Sequence, residues 1–220
     1  MKKQLACGVA ALLIGGTAAA HTWKVEITNV TPAQSFTPII AASHYSSISL
    51  FEPGQPASEA LAAMAEGGDT APLAAELEAA GNLVGDVTMT EGLLEPGQSV
   101  SFEIDGRPGQ RLSLAGMLIP TNDTFVAVNS MFLPLRGTKQ IEAIAWDAGT
   151  EMNDQNCANI PGPRCMGAAY SAPDVTDEGF VHVSNGFHEL GYPEVDGEVL
   201  QPAHYDWNNP VALITIRRMR

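Results

Sequence analysis

Basic side chains are scarce in this chain: 11 Lys and Arg stand against 25 Asp and Glu over 220 residues, a formal net charge of −14. Nucleic acid is excluded as a partner on that count, because phosphate binding needs a basic footprint and so acidic a surface repels the backbone. The same surface attracts cations, although it also serves as an ordinary solubility device. Long apolar runs are missing too. The stretch from Leu5 to Ile14 is too short for a membrane span, and no later stretch approaches the roughly 20 apolar residues a spanning helix requires. Catalytic signatures are equally thin, with no G-x-S-x-G, H-E-x-x-H or P-loop pattern in the sequence. Serines beside histidines, as in Ser43-His44, decide nothing, since a triad is defined in space.

What stands at the amino terminus is Met1-Lys2-Lys3, an apolar run, then Ala18-Ala19-Ala20, the charged, apolar and small-residue zones of a secretory signal peptide. Residues 1–20 are therefore expected to be removed, leaving a soluble secreted or periplasmic domain over 21–220. Cys7 leaves with the leader. Cys157 and Cys165 remain, flanking "ANIPGPR". In an oxidising compartment a pair this close, with Pro161, Gly162 and Pro163 bending the chain between them, reads as a disulfide rather than a metal pair.

Alternation is the main periodic signal: Trp23, Val25 and Ile27; Val100, Phe102 and Ile104; Leu112 and Leu114; Phe125, Val126 and Val128; Val211 and Leu213, with Ile214 and Ile216 on the other parity. These read as strands. One region differs. "ASEALAAMAEGGDTAPLAAELEAAG", 57 to 81, carries Leu61, Met64 and Ala65 at helical spacing and stops at Gly67. Thr70 is placed to cap a second helix holding Pro72, Leu73 and Leu77, with Gly81 beyond its end. The expected fold is mainly β, an antiparallel β-sandwich in one domain with a short two-helix insertion.

The blocks "FTPIIAASH", "LFEPGQPASEALAAMAEGGDTAPL", "MLIPTNDTFVAV", "WDAGTEMND", "GFVHVSNGFHELG" and "WNNPVALITI" resemble, in order, the bacterial members of the spondin amino-terminal domain family. That resemblance implies a secreted antiparallel β-sandwich which, in the animal members, serves extracellular adhesion and binds a divalent cation. It places the family's acidic positions on Asp123 of "PTNDTF" and on Asp147 and Glu151 of "DAGTE", with Asn122 and Asn153 as weaker candidates. Thr124 departs from the tryptophan of the animal form. Calcium suits such a set, because it takes several oxygen ligands from carboxylates and loop carbonyls without a regular motif. An EF-hand does not fit, for no second acid or asparagine stands two residues after Asp147. The plainer reading of Asp147 and Glu151 is a solvated turn beside Gly149.

The histidines raise a different possibility. His44, His182 and His188, with His21 at the expected mature terminus, offer imidazoles for copper or zinc. Should Asn185-Gly186 close a two-residue hairpin, His182 and His188 face opposite sides. The leading expectation is a secreted, non-enzymatic domain that binds a calcium-like cation and attaches to an extracellular or cell-surface partner. The alternatives are a copper- or zinc-binding periplasmic protein and, behind both, a secreted hydrolase using Asp147 and Glu151 as acid and base.

Overall fold

Strand β1 (His21–Asn29) shows how alternation becomes packing: Trp23, Val25 and Ile27 are buried while Glu26 between them is exposed. The computed structural model describes residues 20–170, 177–189 and 198–219, so the expected leader, apart from Ala20, lies outside the described residues. The chain continues through β2 (Ser35–Phe36), β3 (Ile40–His44), helices α1 (Glu59–Gly67) and α2 (Ala71–Ala79), β4 (Val84–Met89), β5 (Ser99–Gly106), β6 (Arg111–Ile119), β7 (Thr124–Phe132), β8 (Thr138–Asp147), β9 (His182–Val183), α3 (Pro202–Tyr205) and β10 (Ala212–Arg218). All strand pairings are antiparallel, and the main path runs β4-β3-β6-β7-β8-β10-β1-β5.

One strand joins two layers. The first part of β8, through Ala143, pairs with β10, whereas Ile144 to Asp147 pair with β7, the behaviour of a strand that switches sheets at the corner of a sandwich. The two ends of the path also approach each other, Asp105 N donating to Asp86 Oδ2 at 2.9 Å, so the sandwich is nearly closed like a barrel.

The core has two compartments. Trp23, Val25, Ile27, Leu112, Leu114, Val126, Ile214 and Ile216 fill the space between the layers. Ile40, Ala42, Phe125 and Ala127 point instead at Leu61, Met64, Leu73 and Leu77 of the two helices. The sheet containing β3 and β7 is therefore covered on both faces, and β3 is buried at all five positions. Such a strand reads as a continuous apolar run rather than an alternating one.

The insertion forms as two helices, with one correction. Ser58 caps α1 by accepting from Leu61 N at 3.1 Å, and Gly68 closes it in the left-handed region. Thr70 precedes α2 but makes no capping bond; its hydroxyl turns to Met89 Sδ, and Asp69 Oδ1 accepts from Ala71 N at 3.0 Å instead. The Asn185-Gly186 hairpin does not form either. Phe187 N donates to Asp206 Oδ1 at 3.1 Å and His188 N to Gln155 Oε1 at 2.9 Å, so the segment after β9 is held by loops rather than by a return strand.

Candidate metal centre

Sheet register brings the acidic residues together. Thr124, at the start of β7, pairs with Asp147, at the end of β8, and Asp147 pairs in turn with His182 of β9. Asp123 is thus placed beside Ala148, whose N–H donates to the Asp123 carbonyl at 3.2 Å. The chain after β8 turns at Gly149 (φ 67°) and wraps the Asp123 side chain. Oδ2 of that carboxylate accepts from Thr150 N at 2.8 Å, Glu151 N at 3.1 Å and Thr150 Oγ1 at 3.3 Å.

Asp123, Asp147 and Glu151 are all buried, Asp123 at 0 % exposure, which rejects the solvated-turn reading. Burial first, and then the Asp147 charge, push the Asp123 carboxyl well above its ordinary value; the Thr150 and Glu151 amides oppose this and the Glu151 charge adds to it. Desolvation and like charge both disfavour the ionised form. Oδ1 of Asp123 has no hydrogen-bond partner among the described residues. A buried acceptor left unmade costs about 1–3 kcal/mol. Asp147 is raised too, chiefly by burial, against the bonds it receives from Asn153 Nδ2 to Oδ2 and Gly149 N to Oδ1, each 2.9 Å, and the nearby His182.

A fourth acid arrives from the chain that returns across this end. Gly179 N donates to Gly149 O, and Val181 exchanges bonds with Gly54 and Gln55, each at 2.8 Å. This strap carries Glu178 and His182 to Asp147. Among the described residues, Asp147, Glu178 and His182 are the group of potential ligands whose donor atoms all lie within 4.8 Å of one another. Asp123, Asp147 and Glu151 lie at the same end without closing to that spacing. Glu66 of α1 also reaches this end, bonding the Thr150 side chain, and its carboxyl is raised by burial.

The remaining candidates are spread out. His44 is buried on β3, with Nδ1 on the Tyr45 carbonyl at 2.9 Å and Nε2 on Ser113 Oγ at 2.7 Å. His188 is exposed, and His21 stacks edge-on to Trp23 beside Arg218. His44, His182 and His188 therefore do not form one ligand set. Asn122 binds Asp154 Oδ1 at 3.0 Å and the loop amide of Gln155 at 3.3 Å, fixing the loop. Asn153 spends its amide on Asp147 and on Glu178 Oε1 at 3.3 Å. The disulfide expected between Cys157 and Cys165 is present, with Cα atoms 4.7 Å apart.

The chain is a nearly closed, mainly β antiparallel sandwich with helices over one sheet and buried carboxylates at one loop end. The spondin N-terminal family model matches residues 19–158, and the chain belongs to that family. Asp123, Asp147, Glu151 and Cys157 fall inside the match; Glu178 and His182 fall beyond it. No curated protein matches the chain.

Proposed function

We propose that this protein is a secreted spondin domain that holds a hard, calcium-like divalent cation with Asp123, Asp147 and Glu151, and presents that end to an extracellular or cell-surface partner. The observation that carries the reading is Asp123: a fully buried carboxyl whose Oδ1 has no partner among the described residues, lying in the charge field of two further buried acids. A divalent cation supplies the missing partner and removes the repulsion. Calcium ligands sit at about 2.3–2.6 Å, so those on opposite sides of the ion are about 5 Å apart, and the three carboxylates need not be in close contact before the ion enters. Family membership and the disulfide favour an oxidising, external compartment. Phe180 and Val183, apolar and 43 % and 46 % exposed on the strap, give the same end a surface for attachment. No reaction is assigned to the acids.

Thermal unfolding of chelator-treated protein tests this. At a calcium concentration 100 times the dissociation constant, a site present only in the folded state contributes about 2.7 kcal/mol. In a domain of this size that raises the midpoint by about 5–10 °C. Asp147→Asn sharply reduces the shift, and Glu76→Gln, exposed on α2, preserves it. Identical melting with and without calcium defeats the proposal.

A further inference from the structure

His182 is arranged differently from the other histidines. Its Nδ1 lies 2.9 Å from the Val183 carbonyl oxygen. A carbonyl only accepts, so Nδ1 carries the proton and, in the neutral ring, Nε2 keeps its lone pair. That Nε2 is sealed from solvent and makes no hydrogen bond among the described residues, while standing 3.4 Å from Asp147 Oδ1. Glu178 completes the group within the 4.8 Å spacing, and Asn153 Nδ2 donates to both carboxylates. An imidazole whose outer N–H is fixed on a backbone carbonyl, with its inner nitrogen aimed at two carboxylates, is the arrangement in which metal-bound histidines are held. Asp123, fully buried and without a partner at Oδ1, stands beside the same Asp147.

We propose that His182 Nε2, Asp147 and Glu178 form a second cation site, which takes a borderline transition cation of the zinc class and shares Asp147 with the calcium-like site. The nitrogen decides the class. Calcium and magnesium take oxygen ligands, whereas imidazole with carboxylates suits zinc and its first-row neighbours. Three protein ligands leave a position at the ion open, and Glu178 is the exposed member of the group. A catalytic zinc has the same count of three protein ligands; the proposal concerns binding alone.

Untagged, chelator-treated protein is titrated with Zn2+ in the presence of a competing chromophoric chelator, and the calcium melting shift is measured on the same samples. His182→Ala and Glu178→Gln are expected to lower Zn2+ affinity by at least about 10-fold, the loss seen when even the groups supporting a metal ligand are removed. Both leave the calcium shift in place. Asp123→Asn is expected to do the reverse, Asp147→Asn weakens both, and His204→Gln, exposed on α3, changes neither. Imidazole nitrogen NMR on wild type guards against a variant that fails to fold: Zn2+ moves the His182 Nε2 resonance and leaves Nδ1 protonated. Undiminished Zn2+ binding by His182→Ala, or a His182 resonance that Zn2+ does not move, overturns the inference. Loss of the calcium shift alone sinks the carboxylate site and leaves this one standing.

Discussion

Gly149 is the position at which one methyl group should disturb both the fold and the site. Its φ of +67° lies in the left-handed region, and a Cβ there meets Phe180 N at 2.8 Å and Phe180 C at 3.0 Å, with the carbonyl oxygen closer still. Those are backbone atoms of the strap and cannot rotate away. The positive φ alone costs a side-chain-bearing residue roughly 1–2 kcal/mol. Moving the strap to relieve the clash adds about 1–3 kcal/mol, the usual range for overpacking. Gly149→Ala is therefore expected to destabilise by about 2–5 kcal/mol, lowering the melting midpoint by roughly 4–20 °C. Gly137 is the control: it has φ +69° but nothing within 4 Å of the point where a Cβ would stand, so Gly137→Ala feels only the backbone strain. Urea and thermal unfolding of both variants measure the difference. Because Phe180 lies between Glu178 and His182, the displaced strap also weakens Zn2+ binding in Gly149→Ala and not in Gly137→Ala. Equal destabilisation of the two variants, within about 0.5 kcal/mol, refutes the contact and with it the placement of the strap against β8.

Two further expectations concern stability. His44 is held below its ordinary 6.5 first by burial and also by Arg111, with the Tyr45 carbonyl opposing; a lowered folded value means that its contribution is present above pH 6.5 and is lost as pH falls below it, because the unfolded chain takes up the proton first. Ring-proton NMR should give a His44 midpoint below 6.5, and a midpoint above it contradicts the buried neutral ring. Reducing Cys157–Cys165, which closes a loop with a sequence separation of 8, should lower stability by about 2–3 kcal/mol. An unchanged midpoint in fully reduced, thiol-labelled protein rules out that contribution.

The strands legible from alternation are those with one face in the core and one in water. β1 and β5 behave this way, as does β10, whose buried parity proves to be Ile214 and Ile216 while Leu213 is 46 % exposed. β3 is not legible in this way, because its neighbours cover both faces: Ala41 joins the inter-sheet core and Ile40 and Ala42 pack toward the helices. Helical spacing locates α1 and α2, since Leu61 and Met64 of the one and Leu73 and Leu77 of the other lie on the side each turns toward that sheet. Thr70 stands at the N-cap position of α2 as expected, but its hydroxyl lies on Met89 Sδ, and Asp69, also a good cap by residue type, supplies the side-chain bond to Ala71 N instead.

The candidate site is partly legible, and the part that is not follows from how strands make neighbours. Asp123, Asp147 and Glu151 are singled out by the resemblance of "PTNDTF" and "DAGTE" to the family's acidic blocks, since by composition alone the second reads as a solvated turn. What brings Asp123 to Asp147 is the pairing of Thr124 with Asp147, a register that depends on which residues of two strands face each other and that alternation alone leaves free to slip. Glu178 has no local signal at all. It lies in "DEG", an ordinary solvated turn by composition, and it gains a role only because the strap is tied to Gly149 and Gln55. His182 stands out as one of several histidines, but grouping it with His44 and His188 treats imidazoles as each other's natural company. In a sheet the company is set by the register, and β9 places His182 opposite an aspartate. The ligand chemistry that follows mixes nitrogen with oxygen, which is why the choice between calcium and zinc turns on residues lying on both sides of Asp147.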